Sequence, residues 1–60
     1  MTIETTKEVF NLIFSSNHHA HSEHKETYNK HFYTFNDQQG IVLHNINNDI
    51  FQYYLIDINA

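Results

Sequence analysis

Residues 32–58, FYTFNDQQGIVLHNINNDIFQYYLIDI, decide the fold. Three runs rich in aromatic, β-branched and aliphatic residues, at 32–36, 41–46 and 50–58, are separated by two clusters of turn formers. In the first cluster, Asp37-Gln38-Gln39-Gly40, the chain's single glycine suits a position that needs positive φ. In the second, Asn47-Asn48-Asp49, Asn and Asp tolerate the left-handed region and bond their own backbone. Turns this short join successive antiparallel strands, so the segment predicts a three-stranded β-meander.

The third run carries the most information. Ile50, Gln52, Tyr54, Ile56 and Ile58 alternate onto one side of a strand, and Phe51, Tyr53, Leu55 and Asp57 onto the other. Both sides are mostly apolar. In a sequential meander this strand is also an edge, with unpaired amides and carbonyls. Phe51, Tyr53, Tyr54, Leu55 and Ile56 are therefore the expected partner or dimer interface, with a homodimer formed through the C-terminal strand.

Working back from the meander, residues 5–16 predict a helix. Thr5 and Glu8 have the spacing of a capping box, and Val9, Phe10, Ile13 and Phe14 form one apolar stripe, expected to pack on the sheet. Residues 18–31 hold five of the six histidines in a polar stretch, read as a second helix or a loop. The expected fold is α+β: one domain over residues 1–60, with one or two N-terminal helices packed on a three-stranded antiparallel meander.

Sixty residues bury only about 60% of the surface their unfolded chain exposes, so a domain this small usually needs a staple. The chain has no cysteine, which leaves a metal or self-association. On a helix, His18, His21 and His24 form a stripe able to hold Zn²⁺, Ni²⁺ or Cu²⁺ weakly, with Glu23 or Glu26 adding an oxygen. A structural zinc site normally takes four ligands and often thiolates, so binding there should not be needed for folding, and no cofactor is expected.

Charge narrows the partners. Seven carboxylates face three lysines and no arginine, for a formal net charge of −4. Without clustered cations or arginine forks, nucleic acid is an unfavoured partner. Nothing reads as a signal peptide or a transmembrane span, so a cytoplasmic location is expected. No nucleophile elbow, P-loop, dinucleotide fingerprint or paired carboxylate appears, and an enzyme is not expected. The abundance of Ile, Asn, Phe, Tyr and Lys, with no Arg or Pro, points to an AT-rich genome, as in many phages, mobile elements and low-GC bacteria. The expectation is a small protein-binding inhibitor or adaptor acting on a host protein, with an anti-defence, anti-CRISPR-like role as one subclass. The alternatives are a histidine-rich metal-binding protein and a toxin–antitoxin component.

Overall fold

The computed structural model describes residues 1–56. Along the chain come β1 (Thr2–Thr5), α1 (Lys7–Ile13), a 3₁₀ turn (Ser16–His18), β2 (His19–His24), β3 (Tyr28–Phe35), β4 (Gln38–Asn45) and β5 (Ile50–Ile56). The strands make one antiparallel sheet in the order β1-β5-β4-β3-β2. The α+β class and the β3-β4-β5 meander agree with the sequence reading. Among the described residues the sheet nevertheless has five strands, not three, and there is one α-helix. The end of the expected strand 50–58, with Asp57 and Ile58, lies outside the described residues.

The stretch 18–31, expected to be helix or loop, contains β2 and the start of β3. An edge strand needs only one hydrogen-bonded neighbour and can be polar on both sides, so β2 (HAHSEH) lacks the apolar alternation that marks interior strands. Its pairing with β3 shifts register between His19 and His21, the two-against-one arrangement of a bulge. At the opposite edge, β1 pairs Thr2 with Ile56 and Thr5 with Tyr53, tying the N-terminus to the last described strand.

The helix is shorter than expected. Its N-cap is Thr6, not Thr5: Thr6 Oγ1 accepts from the Val9 amide at 3.2 Å, while Thr5 ends β1. One residue earlier, the cap would break the β1–β5 ladder. At the far end Phe14 takes an extended conformation, closing the helix after two turns with its amide on the Phe10 carbonyl at 2.9 Å.

Phe10 and Phe14, one turn apart, are the anchors. With Val42 they form the buried core, and Ile13, Tyr33, Tyr53 and Leu55 pack around it. The Phe10 ring lies 4.9 Å from Phe14, 5.2 Å from Tyr33 edge-on and 5.5 Å from Tyr53. Val9 is 41% exposed and does not join Phe10, Ile13 and Phe14 in the core; Leu12 is 86% exposed.

Gly40 does a different job from the one expected. It lies within β4, opposite Tyr33 and Leu55, and has no positive φ. A Cβ there would meet Phe10 Cε2 at 2.6 Å and Phe14 Cε2 at 2.7 Å. The glycine is the gap that lets two phenyl rings rest on the sheet. The turn's positive φ falls on Asn36 (50°) and Asp37 (63°), a two-residue hairpin loop closed by the Phe35–Gln38 pair. Asn47-Asn48-Asp49 does turn: the Asn45 and Asn48 side-chain oxygens accept from the Asn47 and Ile50 amides, and Asp49 has φ 58°.

Among the described residues, no helix is long and apolar enough to cross a membrane.

Candidate functional site

Strand alternation sorts the sheet's side chains into two faces. Residues paired with Gly40, Val42 and His44 lie on the face that α1 covers: Tyr33, His31 and Asn29 from β3, and Leu55, Tyr53 and Phe51 from β5. Those paired with Gln39, Ile41, Leu43 and Asn45 lie on the other: Thr34, Phe32, Lys30 and Tyr28, with Ile56, Tyr54, Gln52 and Ile50. Across β3, His19, Ser22 and His24 fall on the helix side, and His21 and Glu23 on the open side.

Two turns of helix cannot cover five strands, so part of the helix-side face stays open. It is occupied by imidazoles. Ser22 Oγ lies 2.8 Å from His19 Nε2 and 2.7 Å from His31 Nδ1. A serine has one proton, so Ser22 donates to at most one of these rings and accepts from at least one, which couples the tautomers of the pair. Nearby, His24 Nδ1 donates to Asn29 Oδ1 at 2.8 Å. His44 Nε2 donates to the Asp49 carboxylate at 2.5 Å, and its ring stacks on Phe51 at 4.2 Å. His31 is held below its ordinary pKa of 6.5, first by burial and then by repulsion from His19, His24 and His44. The shift favours its neutral form.

Between this cluster and α1 runs a groove of about 620 Å³. Phe10, Phe14, Tyr33, Val42 and Tyr53 supply its apolar floor. Lys7 and Asn11 line it from the helix, with Ser16, His19, Ser22 and His31 also on its walls and Phe51 at one end.

The metal stripe expected of His18, His21 and His24 does not form. His18 sits on the 3₁₀ turn, where its Nδ1 accepts from the Ser15 amide at 3.0 Å and its ring stacks on Phe35. His21 is on the open face, stacked on Phe32 at 4.3 Å. His24 is on the helix-side face. A strand sends successive residues to opposite sides, so the three-residue spacing that aligns a helix separates these rings. Among the described residues, no three His, Cys, Asp or Glu side chains are grouped to hold a metal ion. The grouping that does exist (His19, Ser22, His31) joins residues from two strands. Reading 19–24 as a strand would have exposed it; no spacing within either segment alone does.

The expected interface residues also divide. β5 lies between β1 and β4, so it is no edge and cannot dimerise by strand pairing. β1 and β2 hold the edges instead. Phe51, Tyr53 and Leu55 face the helix side, and Tyr54 and Ile56 face the open side. Tyr53 and Leu55 pack against the Phe10–Phe14–Val42 core. Phe51, 48% exposed, is spent on His44 and the end of the groove.

The open face has its own character. Tyr28, Lys30, Phe32, Ile41, Leu43, Tyr54 and Ile56 are half-buried beside one another, and Ile50 is 54% exposed at the margin. The Lys30 ammonium lies 5.2 Å from the Phe32 ring centre. No helix lies over this face among the described residues. No family model, no curated protein and no solved structure matches this chain.

Proposed function

We propose that this chain is a non-enzymatic binding module that docks another protein on the open face of its sheet. The observation behind this is the row Tyr28, Phe32, Ile41, Leu43, Tyr54 and Ile56, which no element of the described chain covers. Apolar and aromatic residues in contact across three strands form a patch of the kind that marks a binding surface. Its composition favours a different protein over a second copy. Tyrosines and aliphatic residues alternate with Lys30, Thr34, Gln39, Asn45 and Gln52, the mixed character of interfaces whose partners also exist apart. A permanent homodimer interface is more uniformly apolar.

The biological setting that fits best is a phage or mobile-element inhibitor or adaptor, made in the host cytoplasm and occluding a host protein, with an anti-defence role as one form. The acidic charge and a composition rich in residues with A/T-rich codons support that setting.

The test uses the whole chain as bait in host lysate, beside two charge variants. Tyr54→Lys alters the open face; Leu12→Lys alters an exposed helix position far from it. The expected result is a partner retained by the wild type and Leu12→Lys and lost by Tyr54→Lys, with all three folded by circular dichroism. A partner held equally by all three overturns the docking face. Light scattering at micromolar concentration reads the competing outcome: twice the chain mass, abolished by Tyr54→Lys, assigns the face to self-association.

A further inference from the structure

The groove beside α1 combines features that the open face lacks. We propose that it is a binding site for a small molecule that joins a flat apolar or aromatic body to an anionic group. Its volume, about 620 Å³, falls within the roughly 300–1,000 Å³ typical of small-ligand sites.

The lining of the groove favours an anion. The chain carries seven carboxylates and three lysines. Yet the lining includes Lys7, two histidines and two serines, and no Asp or Glu. In a protein of net charge −4, that is a local reversal of sign. Several polar groups here lack protein partners: among the described residues, neither Lys7 Nζ nor His31 Nε2 has a hydrogen-bond partner. When Ser22 donates to His31 Nδ1, the His31 proton sits on Nε2, leaving a donor free for a ligand oxygen. Ser22 thus positions the imidazole. A flat apolar body suits the floor, where the half-buried Tyr33 and Tyr53 rings border the groove beside the buried Phe10 and Phe14. Phosphate and carboxylate share the required anionic chemistry.

This site lies on the face opposite the proposed docking surface, so either can fail alone. The experiment titrates phenyl phosphate into the full chain and follows the Tyr33 and His31 ring signals by NMR. Inorganic phosphate, benzoate and phenol are run in parallel. Phenyl phosphate should saturate, binding at least about tenfold more tightly than inorganic phosphate or phenol, because each of those keeps only one half of the recognition. Benzoate in place of phenyl phosphate as the tighter ligand identifies the group as a carboxylate and equally supports the site. Lys7→Gln, at an exposed position and checked for folding by circular dichroism, should weaken binding about tenfold. Ser22→Ala should weaken it less, while Tyr54→Lys should leave it unchanged. Shifts that rise linearly without saturating, or equal affinity in wild type and Lys7→Gln, overturn the proposal.

Discussion

Gly40 shows how one missing Cβ organises the molecule. On conformational grounds alone, replacing a strand glycine should stabilise by about 0.5–1 kcal/mol. Here the new methyl would lie 2.6 Å from Phe10 and 2.7 Å from Phe14, both buried and held by other rings. Overpacking of this kind costs about 1–3 kcal/mol, so the steric effect wins. Gly40→Ala should lower the melting temperature; an unchanged or raised melting temperature would mean that the rings do not sit as described. Phe10→Ala removes the most buried ring and should cost about 3–5 kcal/mol, comparable with the whole stability of a small domain. His31 adds a pH dependence. Its folded pKa is depressed, so the unfolded chain takes up the proton first. The stability this contributes is complete above pH 6.5 and falls as pH drops through that value toward the folded pKa. Urea midpoints measured from pH 8 to 5 should decline below about 6.5, and His31→Gln should flatten the decline.

At the scale of elements, caps and turns set boundaries that hydrophobic pattern only approximates. Thr6 satisfies an amide of the first helical turn; Thr6→Ala should cost about 0.5–2 kcal/mol, and Thr5→Ala, which removes no cap, much less. In the β3–β4 hairpin Asn36 and Asp37 both hold positive φ. Asp37 there bears a steric cost of about 1 kcal/mol that glycine avoids. Asp37→Gly should therefore raise stability by about that amount in a denaturation curve, a result opposite in sign to the one at Gly40. The two glycine predictions together test whether positive φ or ring packing governs each site. The two edges, β1 and β2, expose one row of backbone groups each and should lose amide protection first in hydrogen exchange, with β4 and its neighbours last.

For the molecule as a whole, charge and surface dominate behaviour. Protonating six histidines would move the formal net charge from −4 to +2, and the sequence isoelectric point is about 5.7. Solubility should be poorest near that pH, with the apolar open face least protected by repulsion. Equal solubility at pH 5.7 and pH 8 would contradict this. Much of the plan was legible in the chain itself. Alternation and turn residues fixed the β3-β4-β5 meander, and the Phe10, Ile13 and Phe14 spacing fixed which side of α1 is buried, because both signals are local and periodic. Local signals also misplaced the glycine's role and the N-cap by one residue. What only the tertiary structure decided depends on contacts between distant segments. β1 is four residues long and is a strand because β5 pairs with it; β2 is polar on both sides and is a strand because β3 does. The β1–β5 pairing converts β5 from an edge to an interior strand. The β2–β3 pairing disperses the expected His18, His21 and His24 stripe and assembles His19, Ser22 and His31 in its place. A strand of this kind owes its conformation to its neighbour's hydrogen bonds, and no periodicity of its own residues records that.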